Sequence, residues 1–423
     1  MTVTNYDNND NNKNNNLRIT SDELKKKIDK GEDIFILDVR NQHEHDAWSV
    51  SYDRYQDTPV IPVDTITSSA ALKQIPKDKE IITFCTHGQR SSNAAKMLSE
   101  LGYRVKTIEG GLDGWSNLYD IALVDIESDL PLKIWQIRRI SKGCMSYLVA
   151  SLNDKKATVI DATCNIDTVI KNIVEENELK ITRVIDTHMH ADHLSGATRI
   201  ASKYGAEIAV SSLEKYNTEN IDSEKYLKRR LIQDGEKFEI GDEIYLESMH
   251  TPGHTDGSIS FKLEIRGTSE LKTDSGGVSN NTDNNNRNIT NSKYLLFTGD
   301  TIFVNGVGRP DLHNKSEEYA QKLYQTYQQK LFNLPDTTII LPAHYSSSFK
   351  HAKPVFETIE SIKQKLNSIT KSEKDFLNYI TSNIPPQPMN YGQIVSINKN
   401  MISCDRVEQQ DLESGPNSCG ISA

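Results

Sequence analysis

The chain has 423 residues, too many for one ordinary hydrophobic core, so two or three domains are expected. Its 59 acidic and 49 basic side chains leave a net charge of −10, which argues against a nucleic-acid partner. No apolar run is long enough for a membrane span, and the opening MTVTNYDNNDNNKNNN has no targeting pattern, so a cytoplasmic protein without a membrane partner is expected.

Residues 1–17 are Asn-rich and nearly free of large apolar groups, so they are expected to be disordered. Residues 18–120 then alternate strand and helix signals. DIFILDVR and EIITFCTHG are apolar strands, SSNAAKMLSELG is helical, RVKTIEGG is a strand and LDGWSNLY a short helix. Strands separated by helices predict a parallel sheet covered on both faces. The acidic, Pro-containing stretch 121–131 is expected to be a linker, with a second α/β domain over residues 132–423. There, KATVIDAT is a strand, DTVIKNIVEENEL a helix, and ITRVIDTHMH a strand running into a histidine cluster. An Asn-rich insertion at about 272–292 interrupts a hairpin between SISFKLEI and KYLLFTGD. Helices are expected from about Ser316 and Lys353, and a C-terminal extension from about residue 350.

Five cysteines are too few in such a chain for a disulfide framework, and reduced thiols are expected. Cys85 stands apart from the others. FCTHGQRSS places it between a buried strand and a helix, on the tight turn Cys85-Thr86-His87-Gly88-Gln89-Arg90. Inward N–H groups, the helix N-terminus and Arg90 would all favour a nucleophilic thiolate. Cys-x4-Arg is one residue shorter than the ring cysteine phosphatases need for phosphate, which matches a sulfur atom better. Residues 18–120 resemble a rhodanese domain. LDVRNQHEHD resembles that family's Asp-x-Arg-x-x-x-Glu motif, and EGGLDGW its closing signature. The resemblance implies a persulfide on Cys85, assisted by Arg90, with Asp38, Arg40 and Glu44 supporting the loop. The stretch SYDRYQDTPVIPV departs from the family's loop at that point. Cys144, after Gly143 at a hairpin, is expected to be structural, as is Cys419 near the C-terminus.

DTHMHADHLSG holds His188, His190, Asp192 and His193 at a strand end. His254, Asp300 and His344 follow three further apolar strands, so all seven can converge on one sheet edge. Imidazole and carboxylate ligands suit Zn or non-haem Fe. His43, His45, His313 and His351 are expected at the surface, and His250 is a weaker candidate.

The set resembles the metallo-β-lactamase fold, an αβ/βα sandwich, over residues 132 to about 400. The fold alone does not name a reaction. Flanking segments resemble the persulfide dioxygenases: Ala191 before the Asp, GCMSYLVA, GDTIFVNGVGRPDL, PPQPMNYGQIVSIN and GPNSCGIS. That likeness implies one Fe(II) per chain on His188, His254 and Asp300. His190, Asp192, His193 and His344 would surround it, orienting ligands and handling protons. Arg309 would anchor the substrate's carboxylate, and Tyr345 would lie near it. The substrate class would be a thiol persulfide such as glutathione persulfide, oxidised with O2 to sulfite and thiol. Thiosulfate or sulfite would engage Cys85. The alternative is a glyoxalase II type thioester hydrolase with two Zn ions per chain. It would use His188, His190 and His254 on one ion, Asp192, His193 and His344 on the other, and Asp300 as a bridge. The helical domain of that family is not evident after His344. A homo-oligomer stays open.

Overall fold

The computed structural model describes residues 17–125, 131–217, 227–265, 294–311, 315–387, 390–408, 412–415 and 420–422. The Asn-rich insertion at 272–292, the Asn-rich tail apart from Leu17, His313 and Cys419 lie outside the described residues. All elements below are those of the described residues.

The N-terminal sheet has strands β1 (Arg18–Ile19), β2 (Ile34–Asp38), β3 (Glu80–Phe84) and β4 (Val105–Ile108), parallel throughout in the order β1-β4-β3-β2. Its helices are α1 (Ser21–Asp29), α2 (Gln42–Ala47), α3 (Ser69–Leu72), α4 (Gln89–Glu100) and α5 (Gly111–Trp115). Capping boxes start two of them, Thr20 with Glu23 for α1 and Asn41 with Glu44 for α2. One face of the sheet packs on Leu24, Ile28, Leu112 and Trp115 from α1 and α5. The other packs on Ala71, Ala94, Ala95 and Leu98 from α3 and α4.

The second domain starts earlier than expected. Strand β5 (Tyr119–Val124) pairs antiparallel with β6 (Leu132–Arg139), so the first part of the proposed linker is an edge strand. Its alternation explains this: Ala122 and Val124 are buried while Ile121 and Leu123 face out. Residues 126–130 of that stretch lie outside the described residues. Strands β7 (Met145–Ser151), β8 (Lys156–Ile160), β9 (Lys180–Ile185), β10 (Glu207–Ser211) and β11 (Arg229–Ile232) complete a seven-stranded sheet in reverse chain order.

The facing sheet uses β12 (Lys237–Gly241), β13 (Ile244–His250), β14 (Ile259–Ile265) and β15 (Leu295–Gly299). After the short strands β16 (Ile302–Phe303) and β17 (Gly306–Gly308) it continues with β18 (Ile339–Pro342) and β19 (Glu357–Thr358), and β20 (Gly420–Ser422) pairs with β17. Between the sheets lie Ile134, Tyr147, Val149, Phe238, Phe261, Phe297 and Leu341. Helices α6 (Asp167–Asn177) and α7 (Ala197–Tyr204) pack on the outer core of the first sheet. Helices α8 (Ser316–Gln329), α9 (Ile359–Thr370) and α10 (Glu373–Ser382) pack on that of the second. This is the expected αβ/βα sandwich.

One expectation about the C-terminal part changes. The helix expected from Lys353 begins at Ile359, after Pro354 and the short strand β19. Past His344 the chain is helical, with α9, α10 and α11 (Tyr391–Lys399). No described helix is long and apolar enough to cross a membrane.

The loop that departs from the rhodanese pattern joins the domains. Asp53 donates its backbone N–H to the Phe349 carbonyl at 2.8 Å, and Tyr52 Oη lies 2.8 Å from an Asp29 carboxylate oxygen and 3.0 Å from one of Asp120. Arg138 pairs with Asp120, both fully buried. One hydrophobic cluster runs from Ile36, Phe84 and Trp115 into Ile134, Tyr147 and Phe297.

Candidate metal centre and sulfur-carrying loop

Cys85 sits directly after β3 and is 2 % exposed. Its Sγ accepts from the backbone N–H of Gly88 at 3.2 Å and of Ser91 at 3.4 Å. The thiol therefore rests on the first turn of α4, where unpaired N–H groups and the helix dipole favour negative charge. Helix α5 closes the loop from behind: Leu112 and Asp113 donate their N–H groups to the carbonyls of Cys85 (2.9 Å) and Thr86 (3.2 Å). That approach requires glycine at Gly111, where a Cβ would lie 2.3 Å from the Cys85 carbonyl oxygen.

Arg90 is engaged by Glu44, with contacts of 2.9 and 2.5 Å. The Arg90 hydrogen bond holds the Glu44 carboxyl down at about 2. Asp38 and Arg40 form a buried bidentate pair at 3.0 and 2.7 Å. His45, expected at the surface, is buried instead, 3.0 Å from Asp38. His87 is exposed on the loop, and its Nδ1 meets Asp113 Oδ2. Gln89 is exposed as well.

The second site lies where four strands end. His188 follows β9, His254 lies between β13 and β14, Asp300 follows β15 and His344 follows β18. Gly299 permits the crossing, since a Cβ there would meet Thr187 Oγ1 at 2.4 Å. His188 Nε2 and His254 Nε2 each lie 3.6 Å from Asp300 Oδ2. All three atoms are buried and lack a hydrogen-bond partner among the described residues. Buried polar atoms left unpaired at a common point fit a cation that takes them as ligands.

The other ring nitrogens fix the rings. His188 Nδ1 bonds Thr187 Oγ1 at 2.9 Å, and Thr187 in turn donates to Asp161 at 2.9 Å. His254 Nδ1 donates to the Arg309 carbonyl at 2.8 Å. Burial, reinforced by neighbouring histidines, holds His188 well below its ordinary value, which leaves a neutral ligand. Burial also lowers His254, against the pull of Asp300.

The four surrounding residues divide in two. Asp192, His193 and His344 gather with Cys144, all within 4.8 Å of one another. His344 bridges the groups, with Nδ1 2.6 Å from Asp300 Oδ1 and Nε2 2.9 Å from Asp192 Oδ2. Against burial, Asp300 and Asp192 raise His344 well above its ordinary value. His193 is likewise raised, to about 9, by Asp192 against burial. His190 belongs to a third group with Asp161 (3.4 Å) and Asp186 (3.8 Å). Its carboxylate partners raise it well above its ordinary value although it is buried.

Cys144 is thus no mere hairpin filler. Met145 donates its N–H to Ala343 and Tyr345 to Gly143, which draws the turn before β7 against the exit of β18 and sets the thiol beside His344. Burial alone would raise this thiol, but His344, aided by His193, brings it down to about 6. Reduced thiols throughout were also expected, yet Cys164 and Cys404 are joined in a disulfide. The two cysteines lie far apart in sequence, so no local spacing announces the pair.

Arg309, expected to anchor a substrate carboxylate, has its guanidinium on groups of the chain itself. It is fully buried, with Nε and Nη2 on Asp311 at 2.7 and 2.8 Å and Nη2 on the Pro385 carbonyl at 2.8 Å. Its contribution is the carbonyl that orients His254. Tyr345 is half-buried against Phe349, with ring centroids 5.6 Å apart. His250 turns away from the cluster, with Nε2 2.7 Å from the Asp256 carbonyl.

Several supports escaped the sequence reading. Asn398 donates to the carbonyls of His190 (3.0 Å) and His193 (2.9 Å) and accepts from Ser195 N–H (2.9 Å). Glu413 accepts from Leu194 N–H at 2.6 Å and pairs with buried Arg139. Asp161 and Asp186 had a visible signal, because both end an apolar strand as Val-Ile-Asp.

Comparisons with known proteins bear on the two domains. A family model described as a Rhodanese-like domain matches residues 20–118, and one described as the Metallo-beta-lactamase superfamily matches residues 141–268. The chain is 24% identical over 262 residues to persulfide dioxygenase ETHE1, mitochondrial, of Homo sapiens, covering 62% of this chain and 85% of that protein. It is 27% identical over 222 residues to a probable hydroxyacylglutathione hydrolase of Schizosaccharomyces pombe, covering 52% of this chain and 71% of that one. A metallo-beta-lactamase from Staphylococcus aureus superposes with a TM-score of 0.52 and 28% identity, over 64% of this chain and 72% of that one. The chain therefore joins a rhodanese-like domain to a metallo-β-lactamase-fold domain, and its homologues include the ETHE1 persulfide dioxygenases.

Proposed function

We propose that this protein is an iron-dependent persulfide dioxygenase, acting in the cytoplasm, whose rhodanese-like domain exchanges sulfane sulfur with the same thiol pool. The overall reaction would take a thiol persulfide, O2 and water to the thiol, sulfite and two protons. The observation that carries this reading is the division of labour on Asp300. Its Oδ2 meets His188 Nε2 and His254 Nε2, while Oδ1 is committed to His344. A carboxylate so occupied favours one ion held by three ligands over a bridge between two. Such a site leaves positions open for substrate and O2.

Fe(II) on His188, His254 and Asp300 would supply the redox chemistry that side chains lack. The chain's own residues hold the site in shape. Thr187 and the Arg309 carbonyl fix the two imidazoles with Nε2 inward. His344 keeps a proton at Nδ1 against Asp300, and the buried surroundings exclude bulk water. Cys85 would carry sulfane sulfur, either loading the thiol or converting sulfite to thiosulfate. Tethering the two sites raises the effective concentration of a shared intermediate.

A second reading has its own observation. Cys144, Asp192, His193 and His344 form a further group of metal-ligand atoms, as a dinuclear zinc thioester hydrolase would want. One experiment separates the two: O2 uptake by the anaerobically Fe(II)-loaded protein on addition of glutathione persulfide, with metal quantified and S-lactoylglutathione hydrolysis run in parallel. The dioxygenase reading expects about one O2 per persulfide, sulfite as product and about one iron per chain. Thioester turnover with two zinc ions and no O2 uptake would replace it.

A further inference from the structure

We propose that His87 and Asp113 form a proton-accepting dyad that fits the Cys85 loop to thiol acceptors. The inference rests on the reading of Cys85 as a sulfur carrier and adds the group that handles the acceptor's proton.

His87 lies two residues beyond Cys85 on the same turn, and its side chain is 70% exposed. Its ring is therefore open to solvent on the loop that carries Cys85. Its Nδ1 is held by Asp113 Oδ2, a buried carboxylate on α5. Asp113 is itself fixed: its N–H donates to the Thr86 carbonyl at 3.2 Å, and its Oδ1 accepts from Ser414 Oγ at 2.9 Å. A carboxylate behind one ring nitrogen keeps the proton there, leaves Nε2 as the base and stabilises the imidazolium once formed. Arg90 is taken by Glu44, and Cys85 is held by backbone N–H groups. Of the loop's side chains from Cys85 to Arg90, His87 is the one that is both of a type that serves as a general base and open to solvent.

The step balances without a redox partner. An acceptor thiol gives its proton to His87 Nε2. The resulting thiolate attacks the outer sulfur of the Cys85 persulfide, a new S–S bond forms, and the bond to Cys85 Sγ breaks. The electron pair stays on Cys85 as a thiolate facing the N–H groups of Gly88 and Ser91. His87 then releases its proton to solvent. Sulfite, already an anion with a free lone pair, needs no such base. The dyad is thus a specificity device: it should matter for thiols and be dispensable for sulfite.

The test is single-turnover discharge of the full-length protein without O2, so that oxidation at the metal centre is silent. Cys85 is loaded with thiosulfate, freed of excess, and mixed with glutathione or with sulfite in mildly alkaline buffer, where sulfite is mainly the dianion. In His87→Gln, discharge to glutathione should fall about 100-fold, as for loss of a general base, while discharge to sulfite changes by less than about threefold. Added imidazole should restore part of the glutathione rate. Asp113→Asn should show the same asymmetry, more weakly. Equal losses in both arms, or failure of His87→Gln to load, would make His87 a support of the loop and overturn the dyad. An unchanged glutathione rate would overturn it too. Failure of the wild-type protein to load would instead sink the sulfur-carrier reading itself.

Discussion

Asp300 places one oxygen among the candidate metal ligands and the other on His344, so it has no neutral substitute. Asp300→Asn can offer one oxygen but not two. Metal affinity should fall by at least about tenfold, measured by equilibrium dialysis with Fe(II) or Zn(II) while circular dichroism stays unchanged. Undiminished affinity would remove Asp300 from the ligand set. Asn398 acts on the same loop without touching the ligand rings. Its amide joins three backbone groups, so Asn398→Ala should cost about 1–3 kcal/mol in denaturant unfolding. At this scale the sequence was legible where chemistry forces residue type: clustered histidines and strand-end aspartates have few other reasons to occur together. It was not legible where one residue type serves either purpose. Arg309 could anchor a carboxylate from a ligand or from Asp311, and only the fold decides. Cys144 could fill a hairpin or face a histidine, and the bridge to His344 decides.

The segment Leu412–Gly415 behaves as a clasp over the metal loop. Glu413 bonds Leu194 N–H and pairs with Arg139, and both side chains are buried. Burial alone would raise the Glu413 carboxyl, but Arg139 outweighs it and holds it below the ordinary carboxylate range. A depressed folded-state value means that the pair's stabilisation is fully present above about pH 4.3 and is lost as pH falls through the folded value. Glu413→Gln should therefore cost about 3–5 kcal/mol at neutral pH by stranding Arg139, and it should flatten the acid limb of the stability curve. Urea midpoints measured from pH 7 down to pH 3 check both; parallel curves for the two proteins would contradict the assignment. Strands such as β2, β3 and β15 were readable because a buried strand is an unbroken apolar run. Strand β5 was not, because its half-exposed alternation merges with the acidic stretch beyond it. The first C-terminal helix was anticipated from about Lys353, and only its start moved, to Ile359.

At the scale of the whole molecule, one of the hydrophobic clusters runs through both domains, and one buried charge hub joins them. Asp120 collects Arg138, Lys25, His351 and Tyr52 at their boundary. We expect a single cooperative unfolding transition by calorimetry, and two separated transitions would show that the boundary is weak. Asp120→Asn should destabilise the protein by about 3–5 kcal/mol, since it leaves Arg138 buried without its counter-charge. None of this was visible in the sequence. Tyr52, Asp120 and His351 come from three distant stretches, and a contact between domains leaves no local periodicity to read.

The Cys164–Cys404 bond closes the chain into a covalent ring that contains residues 266–293. A cut inside that ring opens a loop without parting the molecule. With a protease site engineered at 272–292, the cleaved protein should migrate as one band on a denaturing gel without reductant and as two bands with it.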